Sequence, residues 1–526
     1  MNAVLMPLPA WGKCFLVLNR PFWFLTDIAP MIRALLRLTQ VVRRELGSVF
    51  MDAKSVRESS GGCANTGDNV NAVRGLTRDL GLQPNSRRVL LASLVGSAIE
   101  WFDFFLYGTA AGLVFNKLFF PAADPLVSLL LAYLSFALPF FIRPVGGIVF
   151  AHIGDRIGRK KTLILTLTLM GVGTTLIGLL PTYGMVGIVA PILLVVLRLV
   201  QGLGIGGEWG GAVLLAFEFA PHERKGFFAS IPQAGPPIGM LLSALCVGGA
   251  SLLSDSAFMS WGWRVPFVLS SGLVVLGLWI RNGIDETPAF KSVKAAGQIV
   301  RYPALELLRD HRYRVFTAIL VKFGETSSFY VFAVFLVSYG TKELGYAREV
   351  TLLAVAAGAF VAAIMIPLCG VLADRFGRRP IFVLGSLGLI LFAAPYFWLL
   401  SQRSLPMLMT ATILAIGLVW PFVTATLSTL LAETFPAEVR YSGISFGYQI
   451  GAAPVGGTAP LIAMLLLSAD HGQWRWIAAF IALSAAISLA AVTRAGTSIA
   501  VERMVGKAEA TQTDLTGTGA VSGLTK

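Results

Sequence analysis

Charge is scarce in this chain. Only 13% of its 526 residues are Asp, Glu, Lys or Arg, about half the share that soluble domains carry, and these cluster between long apolar blocks. That distribution excludes an ordinary soluble domain. Cysteine is scarce too: Cys14, Cys63, Cys246 and Cys369 show neither paired nor metal-ligand spacing, which removes a disulfide framework. The histidines, His152, His222, His311 and His471, are scattered near the ends of apolar runs, which argues against a metal-dependent membrane enzyme. No clustered His, Cys or Ser constellation is present, so the chain reads as a non-enzyme with no cofactor. Alternating segments of about ten residues are missing, which excludes an outer-membrane barrel. No small-residue cleavage site follows a clean apolar core, which argues against a signal peptide.

What the chain has in quantity is apolar sequence: 56% hydrophobic residues and a mean hydropathy of +0.74. A membrane-spanning helix needs about 20 mainly apolar residues. Runs of that kind fall near 88–115, 126–150, 162–180, 186–218, 227–253 and 264–281, and again near 315–339, 350–373, 380–400, 406–432, 441–467 and 475–493. The expectation is an all-α polytopic membrane protein, twelve transmembrane helices in two six-helix bundles. The domains expected are an N-terminal extension (1–86), a first bundle (87–282), a linker (283–314), a second bundle (315–494) and a disordered tail (495–526). In the extension, an apolar stretch near Phe15–Leu25 is broken by Arg20 and Pro21. Arg33, Arg37, Arg43 and Arg44 with interleaved leucines suit an interfacial helix, and 52–86 is polar and reads as disordered. The extension also raises a translation start placed too far upstream, with Met51 as an alternative.

The net charge of +14 would suggest nucleic acid in a soluble protein. Here basic loops explain it, and no nucleic acid is expected. Arg156, Arg159, Lys160 and Lys161 crowd the connection after span 2, Arg375, Arg378 and Arg379 that after span 8, and six Lys or Arg the linker, whereas the 3–4 and 9–10 connections on the other side carry only Arg403. The positive-inside rule then puts both termini and the linker in the cytoplasm, with the bilayer as the immediate partner.

The two halves repeat. Residues 151–161, AHIGDRIGRKK, read as a short basic loop, and GVLADRFGRRP near residue 370 matches it, aligning Asp155 with Asp374, Arg156 with Arg375, Gly158 with Gly377 and Arg159 with Arg378. EFAPHERK after span 4 matches ETFPAEVR after span 10, Gln233 matches Gln449, and Trp263-Arg264 matches Trp474-Arg475. A parallel repeat with a site between its halves near the midplane is a transporter plan. The doubled D-R-x-G-R-[KR] motif and the R-x-x-Q-G-x-G of Arg198, Gln201, Gly202 and Gly204 resemble the major facilitator superfamily. ASLVGSAIEWFDFFLYGTAAGLVF (92–115), QGLGIGGEWGGA (201–212) and SWGWRVPF (260–267) resemble, more narrowly, its metabolite:proton symporter family. The resemblance covers about 87–495. It departs at Ala151, where the motif has glycine and the second copy keeps Gly370, which is expected to loosen packing there. It implies a proton-coupled carrier of a small metabolite, such as shikimate, α-ketoglutarate, citrate, or proline with glycine betaine.

Charged side chains inside a membrane helix cost roughly 2.5–3.5 kcal/mol on insertion scales, so they are functional candidates. Glu100 and Asp103 are three apart and Tyr107 continues their face. Glu100 lies about 18 Å along the helix from Arg88, near the midplane. Burial disfavours a charged carboxyl, which suits one of the two acids to carry a proton; a static pair with an arginine is the alternative. Arg143, Arg198, Gln201 and Glu208 add polar groups in spans 2 and 4. An arginine that changes carboxylate partner is a route to coupling, a permanent salt bridge the alternative, and the resemblance links Arg198 to proton coupling. Lys322 and Glu325, three apart in span 7, neutralise one another or contact substrate. Trp101, Trp209 and Trp420 are candidates for cavity lining or packing. The glycines of span 4 read as helix packing, and the Gly-Pro clusters in spans 5 and 11 as bends.

The doubled motif needs no substrate. Asp155 and Asp374 sit where they can accept from a neighbouring helix N-terminus or from an arginine such as Arg440. The resemblance implies that the contacts of Asp155, Arg156, Gly158, Arg159, Asp374, Arg375, Gly377, Arg378 and Arg440 latch the cytoplasmic side. The function expected is proton symport of an organic acid by a monomer in the inner or plasma membrane. A proline or betaine carrier and a drug/proton antiporter are the alternatives, with no heptads in 495–526 to support an osmosensing coiled coil.

Overall fold

The computed structural model describes residues 84–121, 124–297 and 303–494. The readings made for 1–83 and for the tail 495–526 lie outside the described residues. Among the described residues, twelve helices are long and apolar enough to cross a membrane: α1 Ser86–Leu118, α2 Leu130–Ile157, α3 Arg159–Leu179, α4 Val189–Glu218, α5 His222–Ala250, α6 Arg264–Asn282, α7 Arg312–Lys342, α8 Arg348–Phe376, α9 Arg378–Ser401, α10 Leu405–Thr434, α11 Arg440–Ala469 and α12 Arg475–Arg494. Two short helices, Pro288–Ala295 and Pro303–Asp310, lie in the linker between α6 and α7. Large apolar side chains such as Leu245, Trp279 and Leu391 face outward, as the hydrocarbon of a bilayer requires.

The repeat read from the sequence governs the packing. In the first half α2 packs on α4 and α1 on α5; in the second α8 packs on α10 and α7 on α11. The halves meet along α2 with α11 and along α5 with α8, a matched pair of seams. Both α1 and α7 widen to i→i+5 turns at matching places, Ala111–Phe115 and Val331–Phe335.

One expectation is corrected. The stretch 151–161 is not an open loop. Its first seven residues are the end of α2, Arg159 begins α3, and the chain reverses at Gly158 alone, with φ of +113°. Gly377, φ +95°, does the same between α8 and α9. Backbone at these angles is open to glycine and strained for residues with a β-carbon, so a one-residue corner suffices where a loop was expected. The expected end of the second span, near 150, therefore falls seven residues short of Ile157. Ala151 lies in this helical end, fully buried.

Candidate functional site

A central pocket opens between the halves. From the first half it is lined by Glu100 and Trp101 of α1, Phe140 and Arg143 of α2, and Gln233 of α5. Facing them are Lys322, Glu325 and Tyr330 of α7, Trp420 and Thr424 of α10, and Tyr448 and Gln449 of α11. Three buried polar atoms in the first-half wall have no hydrogen-bond partner among the described residues: Glu100 Oε2, Trp101 Nε1 and Arg143 Nε. The Arg143 guanidinium lies over the rings of Phe104 and Phe140, 5.0 and 4.6 Å from their centroids. Aromatic faces favour a cation; the guanidinium also hydrogen-bonds the Tyr330 side chain, and its Nε is the donor left unpaired.

The opposite wall is more fully paired. Lys322 Nζ bonds Glu325 Oε2 and sits over the Tyr448 ring, 3.7 Å from its centroid. Glu325 also accepts from Thr326 Oγ1 at 3.0 Å and Thr424 Oγ1 at 3.1 Å. Of the tryptophans considered, Trp101 and Trp420 line the pocket. Trp209 does not; it stacks on Tyr448, with centroids 3.4 Å apart.

The other candidates fall into separate groups. Asp103 points away from the pocket into the first half, accepting from Thr174 Oγ1 at 2.5 Å and Ser270 Oγ at 2.8 Å. Arg198 reaches it only through a chain. Its Nη1 donates to Gln201 Oε1 at 2.9 Å, and Gln201 Nε2 donates to Thr174 Oγ1 at 2.7 Å. Arg198 also lies over the Tyr107 ring, 3.8 Å away, and the Tyr107 hydroxyl bonds Ser135 at 2.7 Å. Glu208 pairs with Arg281 of α6, which was not among the sequence candidates.

At the face carrying the doubled motif, the two aspartates do the same thing in opposite directions. Asp155 Oδ2 accepts from Ser442 N at 3.0 Å and Ser442 Oγ at 2.8 Å, at the start of α11. Asp374 accepts from Gly226 N and Phe227 N, both at 2.7 Å, near the start of α5. A carboxylate on the free N–H groups of a helix start also meets the positive end of its dipole. Arg159 lies 3.4 Å from Asp155 and 3.6 Å from Glu218; Arg378 lies 3.2 Å from Asp374 and 3.5 Å from Glu433. Arg440 pairs with Glu218 at 3.5 Å and not with either aspartate. Arg156 and Arg375 are exposed, and Gly158 and Gly377 supply the corners.

Glu218 and Glu433 stood in the sequence as repeat landmarks, and that periodicity was the signal for their shared role. Arg281 carried no such signal. At the end of its apolar run it looks the same as a cation snorkelling to the membrane surface.

The Major Facilitator Superfamily family model matches residues 93–454. The chain is 39% identical over 406 residues to the shikimate transporter of Escherichia coli (strain K12), covering 77% of this chain and 93% of that one. It is 42% identical over 389 residues to the inner membrane metabolite transport protein YhjE of the same strain, covering 73% and 88%. To that strain's proline/betaine transporter it is 33% identical, covering 73% and 79%. Among solved structures, the proton:xylose symporter XylE bound to 6-bromo-6-deoxy-D-glucose superposes with a TM-score of 0.62 at 15% identity, covering 78% of this chain and 94% of that one.

Proposed function

Because the chain belongs to the Major Facilitator Superfamily and is a transporter of metabolites, we propose that it is a proton symporter importing a small organic acid by alternating access. The observation that carries this reading is the pair of unsatisfied groups in one pocket wall, Glu100 Oε2 and Arg143 Nε. Leaving a buried donor or acceptor unpaired costs about 1–3 kcal/mol. A ligand carboxylate on Arg143 gives its Nε an acceptor, and a proton on Glu100 Oε2 makes that atom a donor which the same carboxylate can accept, so the two together relieve both costs. Arg143 is the anion anchor in this reading, and Glu100, not Asp103, is the coupling acid. Asp103, with two hydroxyl donors and no place in the pocket wall, holds α1 to α3 and α6, and Arg198 braces that cluster through Gln201 and Thr174. The aspartates of the doubled motif latch the halves, and their basic face is the cytoplasmic one, as the Lys and Arg distribution argues.

A second reading has one observation in its favour. Glu100 and Glu325 bring two carboxyls to a pocket that Trp101, Phe329 and Trp420 line with aromatic faces, a setting that also suits the cation of a zwitterion such as betaine.

The test is uptake by proteoliposomes under an imposed inward proton gradient, with shikimate, α-ketoglutarate, citrate, proline and glycine betaine. Uphill accumulation of an acid supports the first reading, and of a betaine the second. Accumulation of none, with expulsion of dyes, defeats both.

A further inference from the structure

Two glutamines at matching places in the repeat each reach across the seam between the halves. Gln233 Nε2 of α5 donates to the Thr424 carbonyl of α10 at 3.0 Å. Gln449 Nε2 of α11 donates to the Gly206 carbonyl of α4 at 3.0 Å. One bond runs from the first half to the second and the other runs back. Both side chains are buried and both line the pocket.

Their surroundings fix them in these positions. Gln233 Oε1 accepts from Trp209 Nε1 at 2.7 Å, so the amide cannot turn over without losing that bond. Gln449 passes Gly147 of α2, where a β-carbon would stand 3.2 Å from Gln449 Cγ and 3.3 Å from the Gly206 carbonyl oxygen. The accepting carbonyls belong to helical backbone and have a second lone pair to offer. The amide donors have no such reserve, because every acceptor that either Nε2 finds belongs to the opposite half. Parting the halves here strands two buried donors.

This layer is distinct from the aspartate layer. Gln449 lies seven residues beyond Ser442 on α11, about 10 Å along the axis, and Gln233 lies six beyond Phe227 on α5, about 9 Å. Two further bonds across the seam, Tyr441 Oη to the Gly207 carbonyl at 2.7 Å and Ser428 Oγ to the Ala229 carbonyl at 2.8 Å, join other residues of the same helices. Ser428 keeps a fallback acceptor in its own half, the Ala425 carbonyl at 3.1 Å; the glutamines keep none among the described residues. The glutamine layer is also tied to the pocket wall, since Thr424, which accepts from Gln233, donates its hydroxyl to Glu325.

We infer that Gln233 and Gln449 are positioning residues for transport, an inner lock that holds the halves shut beneath the pocket and must be released before the pocket can reach the basic face. The inference rests on the alternating-access part of the proposed function, and on neither the substrate nor proton coupling. The test is pulsed electron paramagnetic resonance on reconstituted protein whose four native cysteines are replaced by alanine, with spin labels at Lys161→Cys and Phe376→Cys. Gln233→Met/Gln449→Met keeps the side-chain length and removes the amides. The open-to-closed ratio at the basic face should rise roughly tenfold in the double variant and by a smaller factor in each single one, as expected for losing one or two net hydrogen bonds. Should the Met variants fail to fold, Gln233→Asn and Gln449→Asn retain the amide but shorten its reach, and should open the same face. If Asp155→Asn/Asp374→Asn widens the distances while the glutamine variants match the parent protein, the inner lock is refuted. If neither set widens them, the alternating-access reading falls and this inference with it.

Discussion

Glu208 of α4 and Arg281 of α6 form a fully buried ion pair beside α1, at the point where α1 carries Gly96. A β-carbon on Gly96 would stand 2.8 Å from Glu208 Oε1 and 2.9 Å from Arg281 Cζ. Glu208 also accepts from Thr166 Oγ1 at 2.7 Å, and Arg281 donates to the Leu163 carbonyl at 2.5 Å. One charged cluster thereby joins α3, α4 and α6 and rests on α1, one turn before Glu100.

Removing one partner from such a pair costs about 3–5 kcal/mol, because the other charge stays buried alone, whereas an apolar pair of similar volume is often neutral. Glu208→Gln should therefore lower the thermal midpoint in detergent sharply. Glu208→Met with Arg281→Met should recover most of the loss, and Gly96→Val should resemble Glu208→Gln. A double variant no more stable than the single one would count against the pair being the source of the effect.

The second prediction separates the two acids of α1. Glu100→Gln removes the proton site of the proposed mechanism and leaves the pocket shape intact. It should abolish uphill accumulation while keeping counterflow exchange of whichever substrate accumulates. Asp103→Asn keeps one acceptor for Thr174 and Ser270 and should lower the thermal midpoint, at a cost of about 1–3 kcal/mol, with accumulation retained in the folded fraction. The reverse pattern, coupling lost in Asp103→Asn and kept in Glu100→Gln, would move the proton site to Asp103.

How much of this could be read from the sequence depended on periodicity. Twelve apolar runs, the doubled motif and the matched landmarks all repeat along the chain, so the fold and its two halves were legible. Direction around a helix was less so. Glu100 and Asp103 are three residues apart and share a face, but three residues rotate a helix by about 300°, leaving their side chains about 60° apart. On a helix lying between its own bundle and the central pocket, that angle sends Glu100 to the pocket wall and Asp103 to Thr174 and Ser270. Contacts between charges distant in sequence were not legible either. Arg198 was expected near a carboxylate and instead reaches Asp103 through Gln201 and Thr174. The partner that Glu208 does hold, Arg281, looked like a surface cation.

The third prediction concerns the amides that Asp155 and Asp374 accept from. Charge-assisted bonds to helix-start N–H groups are stronger than neutral ones. In Asp374→Asn, the Gly226 and Phe227 amides should exchange with deuterium roughly tenfold faster, and the Ser442 amide should be unaffected. Asp155→Asn should do the opposite. The double variant should show both changes, since the sites share no partner and distant sites are additive. If either single variant exposed both helix starts equally, the two contacts would be one cooperative unit instead of two latches.

The last prediction uses the two corners to separate backbone strain from crowding. Gly158 (φ +113°, ψ 157°) and Gly377 (φ +95°, ψ 146°) both hold angles that cost a residue with a β-carbon about 1–3 kcal/mol. Their surroundings differ. A β-carbon at Gly377 meets only Pro380, at 3.4 Å or more, which is ordinary contact. At Gly158 it would press on the Glu286 carboxyl and stand 3.2 Å from the Phe290 ring. Glu286 is not free to yield, because Oε1 accepts from the Arg159 amide at 2.9 Å and so caps the start of α3. Gly377→Ala should therefore show the strain alone, and Gly158→Ala the strain plus a damaged cap. In thermal unfolding, Gly158→Ala should lose roughly twice as much stability as Gly377→Ala. Adding Glu286→Ala to Gly158→Ala should cost little more, since the cap is already gone, whereas Glu286→Ala in the parent protein should carry the full cost. Equal losses at the two glycines would mean that the corner angle alone sets the price and that Glu286 moves aside.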